Sequence, residues 1–272
     1  MLPVVTTPVT PRPAATVVVV REAPDGPFEV MLLRRSAAMT FVAGAHVFPG
    51  GTIDEADGVA AAPEWRAALG GTSRFPHLDD AGEIACRVAA ARELVEEAGV
   101  LLARRGGRFA TTAEAGAVRR RLEEGAPFEQ ATREGGWRLA LDALVPFAQI
   151  VTPHPEPRRF DTHFFLAELP SGAEAHAGAA ESDELVWTTP ARALADGLAG
   201  TLVLLPPTWA TLMQLERLDS VAALLAWARS RSIERVEPSL TVDGGGRRIS
   251  VPTAAGAFRF SFEEGRGWRP TG

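Results

Sequence analysis

Apolar positions in this chain follow two rhythms. Ala14 to Val20 is a run of small and β-branched residues, the pattern of a strand buried on both faces. Ala23-Pro24-Asp25-Gly26 then supplies a turn, and Phe28 to Leu33 reads as a second strand. A third short strand is expected at Ala45 to Phe48, running into Pro49-Gly50-Gly51. Residues 54–80 are polar, Ala/Gly-rich and irregular, with Trp65 and Phe75 as anchors. After them the period changes. Ile84, Val88, Ala91 and Val95 recur on one helical face. Asp80 with Glu83 three residues later has the pattern of a capping box, and Gly99 supplies the stop.

Downstream, Thr111 to Glu124 reads as a helix with a second capping box, Thr111 and Glu114. Leu144 to Val151 and Arg159 to Leu169 read as strands joined by a proline-rich turn over residues 152–157. A small-residue loop follows Pro170. Glu184 to Thr188 is then a short strand and Pro190 to Leu198 a helix with proline in its first turn. Residues 201–272 are expected to form an extension: helices near Pro207–Glu216 and Ser220–Arg229, then a hairpin near Arg248–Phe262. Residues 1–13 read as a loose arm, and there are no repeats. Mixed strands and helices in this order define an α/β class, with one domain over 14–200 and the extension, 201–272, packed on it.

Composition narrows the partners. Hydrophobic residues make up 46% of the chain and charged residues 23%, enough apolar surface for a core. The formal net charge is -6, so no long-range field draws the protein to nucleic acid or to an anionic membrane. A polyanionic small molecule must therefore be held locally, by a metal or by placed arginines; every basic residue other than histidine is arginine. Cys86 is the single cysteine, which excludes an intrachain disulfide and fits a reducing cytoplasm. The segment Met1 to Pro13 lacks the basic and apolar regions of a signal peptide, and the longest apolar runs are strand-sized, too short to span a membrane.

The chemistry concentrates on Arg92-Glu93-Leu94-Val95-Glu96-Glu97-Ala98-Gly99-Val100. Glu93, Glu96 and Glu97 stand at i, i+3 and i+4, so their carboxylates share a helix face. Like charges so placed repel unless a cation joins them, and hard divalent cations prefer carboxylate oxygens. Three acids alone are more commonly a solvated acidic face, and Arg92 alone a routine i,i+4 partner for Glu96. The full string changes that balance. It resembles the second half of the Nudix box, G-x5-E-x7-R-E-U-x-E-E-x-G-U with U aliphatic, and Phe48-Pro49-Gly50-Gly51 resembles its lead-in, with Gly51 as the first box residue. The spacing departs from the box. Arg92 stands 41 residues after Gly51 where the motif has 14, so about 27 residues are inserted, over roughly 54–80. Counted back from Arg92, the first glutamate of the box falls on Ile84; Glu83 is one place off and Asp57 precedes the insertion.

The resemblance implies a Nudix α/β/α sandwich with a mixed sheet, and a metal-dependent hydrolase that cuts a diphosphate linkage. Glu93, Glu96 and Glu97 would bind Mg²⁺ or Mn²⁺, the Gly51 carbonyl would join them, and Arg92 would orient a glutamate. A box split by an insertion is similar to a branch of coenzyme A and acyl-coenzyme A diphosphatases. Leu32-Leu33-Arg34-Arg35-Ser36, the stretch Pro157 to Phe165 and Leu205-Pro206-Pro207-Thr208 resemble the same branch. Arg34, Arg35, Arg158 and Arg159 could then grip phosphates, although in each adjacent pair only one side chain can point into a cleft. Glu181 and Glu184 could supply a further carboxylate or form a solvated acidic turn. His46, His154 and His163 could be proposed as bases; His46 is closest in sequence to the glycines, but a packed strand histidine is the commoner case, and His77 and His176 have no partner visible in sequence. Cys86 and the tryptophans Trp137, Trp187 and Trp209 read as packing residues. The partner implied is a small-molecule diphosphate; a homodimer stays open. Two alternatives also stay open: a sugar-nucleotide or dinucleotide diphosphatase, and a Nudix domain that senses a nucleotide without turnover.

Overall fold

In the computed structural model the described residues are 9–24, 26–37, 42–59, 69, 72–178, 182–244, 246–253 and 256–271. Trp65 and Glu181 lie outside them. The amino-terminal part runs β1 (Arg12–Arg21), β2 (Glu29–Arg35), β3 (His46–Val47), β4 (Gly50–Thr52), α1 (Glu55–Val59) and α2 (Asp80–Ala98). Then come β5 (Ala103–Arg105), β6 (Arg108–Phe109), α3 (Thr112–Glu123), α4 (Phe128–Glu134), β7 (Arg138–Leu139), β8 (Val145–Val151), β9 (Phe160–Glu168), β10 (Ser182–Thr188) and α5 (Pro190–Ala199). The chain ends with α6 (Pro206–Leu215), α7 (Val221–Ser230), β11 (Arg235–Val236), β12 (Ser239–Asp243), β13 (Gly246–Thr253), β14 (Gly256–Glu263) and β15 (Gly267–Thr271).

The main sheet has eight strands in the order β10-β2-β1-β9-β8-β11, with β3 on β2 and β4 on β1. β1 runs parallel to β9 and antiparallel to β2, so the sheet is mixed. Its central strand explains the uninterrupted valines: Val17 to Val20 are all fully buried, because both faces of β1 are covered. Val17 and Val19 pack on Ile84, Val88, Ala91 and Val95 of α2. Val18 and Val20 pack on the other side, against Leu194 of α5, Trp209 and Leu212 of α6 and Leu224 of α7. The result is three layers, helix on sheet on helix.

Several elements differ from expectation. The cap of α2 is Asp79, whose carboxylate accepts from the Gly82 N–H at 2.8 Å. Glu83 does not cap; it is buried and accepts from the Phe75 N–H and from Arg87. The capping pair Thr111 and Glu114 does form, at 2.9 Å. Helix α4 and the small sheet β6-β5-β7 were not expected; their runs are too short to show a period. The expected hairpin near Arg248–Phe262 is the centre of a four-stranded antiparallel sheet, β12-β13-β14-β15. Its Ile249, Val251 and Phe260 join the core that holds Trp209, and β11 adds to the main sheet beside β8.

The start of α2 is held by an ion pair with no solvent exposure. Arg87 and Glu83 are both 0% exposed and meet at 2.8 Å. Arg87 also donates to the carbonyls of Leu141 and Leu144 at 2.5 Å and of Ser73 at 2.7 Å. A guanidinium taken out of water needs all of these acceptors. Glu83→Ala should therefore cost about 3–5 kcal/mol in chemical denaturation. Arg133→Ala, which breaks the exposed pair with Glu129, should leave the midpoint in place. Equal midpoints for wild type and Glu83→Ala would refute the structural role of the pair.

Candidate active site

Two glycines let sheet and helix meet. In β4, Gly50 and Gly51 pair with Thr16 and Ala15 of β1. A Cβ on Gly50 would sit 2.1 Å from Thr16 Oγ1, and one on Gly51 would sit 2.3 Å from Glu93 Oε1. At Gly50 a side chain would collide with the backbone of β1, and at Gly51 it would have to displace the Glu93 carboxylate, so the acidic end of α2 abuts β4. The Gly50 N–H donates to Glu97 Oε2 at 2.9 Å, fixing a carboxylate that is 8% exposed.

Arg92 is the hub of the cluster. Its Nη1 donates to Glu93 Oε1 at 2.8 Å and to Glu96 Oε2 at 3.0 Å. Its Nε and Nη2 grip the two carboxylate oxygens of Asp57 at 3.0 and 2.9 Å, and Nη2 also reaches the Thr52 carbonyl at 3.1 Å. Burial acts to lower the Arg92 pKa, but the Asp57 hydrogen bonds and the charges of Glu93, Asp57 and Glu96 outweigh it and raise it. Burial raises the Glu96 carboxyl above its ordinary value, with Arg92 opposing. Asp57 is the residue that the sequence reading missed. It is the sixth residue after Gly51, where the box places its first glutamate when counted forward, and it is 2% exposed. The backward count to Ile84 fails, since Ile84 is fully buried in the core. The extra residues therefore follow Asp57, and 54–57 belong to the site.

Asp57, Glu93 and Glu96 surround a single guanidinium, and Glu97 stands beside them on the same helix, so the cluster keeps an excess of negative charge. Oxygen donors on one rigid helix beside the Gly51 backbone suit Mg²⁺ or Mn²⁺ in ligand chemistry. The side chains reach Arg92 and Gly50 and do not yet converge on one point: among the described residues no three Asp, Glu, His or Cys groups form a ready metal-holding set.

On the other side of Gly50 and Gly51 opens a cleft of about 570 Å³. Arg35 and Arg158 line it, together with Arg12, which the sequence reading did not single out. Arg34 and Arg159, expected there too, are engaged elsewhere. Arg34 pairs with Asp183 at 2.7 Å and with Glu184 at 3.2 Å. Arg159 is buried and holds Glu237 and the carbonyls of Thr152 and Val9. One arginine of each adjacent pair faces the cleft, as side-chain alternation requires. Glu184, committed to Arg34, does not line it.

The histidines are structural in geometry. His46 is buried; burial lowers its pKa, and its Nδ1 accepts from the Val203 N–H at 3.2 Å. His163 is also buried and lowered. Its Nδ1 lies 3.2 Å from the Ala14 carbonyl, so Nδ1 carries the proton; Nε2 faces His77 at 3.4 Å. Burial pushes the Cys86 thiol up, which makes it inert. Arg105 lies over Trp137 and Arg21 over Trp187, while Trp209 is buried.

The fold is an α/β/α sandwich that carries an acidic cluster on its central helix. No protein-family profile matches the chain. The chain is 30% identical to acyl-coenzyme A diphosphatase NUDT19 of Gallus gallus, covering 85% of this chain and 75% of that one. It is 28% identical to NUDT19 of Homo sapiens, covering 85% and 72%. A crystal structure of a Nudix hydrolase from Alicyclobacillus acidocaldarius superposes with a TM-score of 0.67 at 30% identity, covering 83% of this chain and 98% of that one. The chain belongs to the Nudix hydrolase family, whose members generally need a divalent metal. No helix among the described residues is long and apolar enough to cross a membrane.

Asp57→Asn keeps the shape but removes the charge that holds Arg92. Activity and metal affinity should fall about 10- to 100-fold, with the far-UV circular dichroism unchanged, and Asp57→Glu should restore part of the loss. Wild-type metal titration in Asp57→Asn would show that the clamp does not support the carboxylates.

Proposed function

We propose that the protein hydrolyses the diphosphate linkage of coenzyme A or an acyl-coenzyme A. The observation that carries this reading is the placement of the acidic end of α2 against Gly50 and Gly51, two glycines that also line a cleft together with Arg12, Arg35 and Arg158. The two NUDT19 relatives are acyl-coenzyme A diphosphatases by name, which favours this substrate over sugar nucleotides and dinucleotides.

In this reading Glu93, Glu96 and Glu97 would hold Mg²⁺ or Mn²⁺, with the Gly51 carbonyl beside them; a cation there would supply charge neutralisation for the diphosphate and a lowered pKa for a water. The protein's own groups supply the geometry. Asp57 fixes Arg92, and Arg92 fixes Glu93 and Glu96. The Gly50 N–H fixes Glu97. A carboxylate of the cluster accepts the proton of the attacking water. Water adds to one phosphorus and the bridging P–O bond breaks, giving a 4′-phosphopantetheine fragment and 3′,5′-ADP. Arg35 and Arg158 hold phosphate oxygens in the cleft. The single buried cysteine is consistent with work in the cytoplasm, which belongs to the same proposal.

The test is product analysis on a panel of coenzyme A, an acyl-coenzyme A, ADP-ribose, a sugar nucleotide and a dinucleotide, with and without Mg²⁺ or Mn²⁺. Coenzyme A forms should give the highest kcat/KM, and Glu97→Gln should lower kcat by about 100-fold or more while the fold survives. Higher efficiency on ADP-ribose or the dinucleotide would overturn the substrate assignment. Binding without turnover of any panel member would make the protein a sensor.

A further inference from the structure

The last turn of α2 carries Glu96 and Glu97, and it ends in backbone carbonyls that the helix cannot satisfy by itself. Gly99 turns its N–H back on Leu94 and Val95. The carbonyls of Glu97 and Ala98 are met from elsewhere. The Gly178 N–H donates to the Glu97 carbonyl at 2.7 Å, and the His176 N–H donates to the Ala98 carbonyl at 2.9 Å. Both donors belong to the small-residue loop that follows Pro170, so a distant segment of chain crosses the end of the helix. That segment is tied down before it arrives. The Glu174 N–H donates to Thr112 Oγ1 at 2.8 Å, and Ala175 packs against the core that holds α2.

At Gly178 the segment meets the helix backbone directly. The residue is buried. A Cβ there would stand 2.7 Å from the Glu96 carbonyl oxygen, 3.1 Å from that of Glu97 and 2.5 Å from Arg119 Nη2. Arg119 can swing aside, since the near atom is the end of a flexible side chain. The two carbonyls cannot, because they belong to the helix. Gly178 is not among the glycines with positive φ, so the position demands space and not conformational freedom. Its own carbonyl accepts the Ser182 N–H at 3.1 Å, and Ser182 opens β10 opposite Arg35 of β2. One glycine therefore ties the acidic end of the helix to the edge of the main sheet.

We infer that Gly178 is a positioning residue for the carboxylates of Glu96 and Glu97. It lets the crossing segment bind the last helical turn at contact distance, in the part of a helix that otherwise frays. The backbone from which both side chains extend is thereby fixed. Gly50 and Gly51 set the carboxylates from the side of the sheet; Gly178 sets their backbone from the end of the helix. The inference rests on the proposed role of Glu96 and Glu97 as cation ligands.

Two measurements test this. The first compares Gly178→Ala with wild type by Mn²⁺ titration calorimetry without substrate, and by kcat and KM on the best diphosphate substrate. The variant should bind Mn²⁺ about tenfold more weakly. Its kcat should fall with little change in KM, since the cleft arginines are untouched, and its far-UV circular dichroism should match wild type. Adding Arg119→Ala removes only the flexible neighbour and should recover little. Wild-type Mn²⁺ affinity in folded Gly178→Ala, even with a lowered unfolding midpoint, overturns the inference and leaves the cation assignment standing. Full recovery in the double variant overturns it as well. The second measurement uses wild type alone. A contact that supports cation binding must itself be stabilised by the cation. Amide exchange at His176 and Gly178 should therefore slow on adding Mn²⁺, and by more than in α7; exchange that Mn²⁺ leaves unchanged there overturns the inference. Weakened Mn²⁺ binding in Gly178→Ala, in a protein that hydrolyses no diphosphate, overturns the diphosphatase reading and leaves the positioning role. Wild type that binds no Mn²⁺ overturns the cation assignment and the inference with it.

Discussion

The contact on which the site depends is the approach of α2 to β4 at Gly51. A Cβ there would lie 2.3 Å from the Glu93 carboxylate, inside any van der Waals separation. With hydrogen in that place, the acidic turn of the helix reaches the sheet, and Glu97 accepts the Gly50 N–H. Everything behind the helix serves this registration. Ile84, Val88, Ala91 and Val95 fix its rotation against the sheet, and Gly99, at φ 67, ends it with N–H bonds back to Leu94 and Val95. A helix that could roll on its apolar face would lose the contact, so the precision of the carboxylates is a property of the core.

Electrostatics divides the site at the same glycines. On the helix side Asp57, Glu93 and Glu96 share Arg92; the cleft is lined by arginines and, among the described residues, by no aspartate or glutamate. Repulsion among Asp57, Glu93 and Glu96 is offset by one guanidinium, which cannot neutralise them all. That residual charge favours a divalent cation, and a cation in turn favours phosphate oxygens presented from the cleft. A protein with net charge -6 achieves this by placement, since short-range hydrogen-bonded contacts survive screening that would erase a weak global field.

Much of this was legible in the sequence because it rests on local periodicity. The valine run of β1, the helical face of Ile84 to Val95 and the Gly99 stop each declare themselves within a few residues. The acidic triad and Arg92 are contiguous, so their shared face follows from helix geometry. Asp57 was missed for a different reason: its partner is 35 residues away, and counting back from Arg92 crosses the extra residues. Counting forward from Gly51 would have found it. Arg12 carried no signal of its own; it enters the cleft through a parallel pairing with β9 that joins residues nearly 150 positions apart. The choice between Arg34 and Arg35, or Arg158 and Arg159, follows alternation in principle. Which member faces the cleft depends on where Asp183 and Glu237 lie, and only the tertiary fold sets that.

The long spacing between Asp57 and Arg92 is the unusual feature, and the fold shows how a tight cluster tolerates it. Closing a longer loop adds little entropy cost, since the penalty grows only with the logarithm of length. What must be preserved is the position of each end. The near end is held by the Asp57–Arg92 clamp itself. The far end is held by Phe75, buried edge-on against His163 and Phe165, and by the Ser73 carbonyl and Phe75 N–H, which bind Arg87 and Glu83. Arg87 and Glu83 lie about one and a half and two and a half turns before Arg92 on the same helix. The buried pair that fastens the returning chain therefore also fixes the helix that presents the carboxylates. A box interrupted in sequence thereby stays continuous in space.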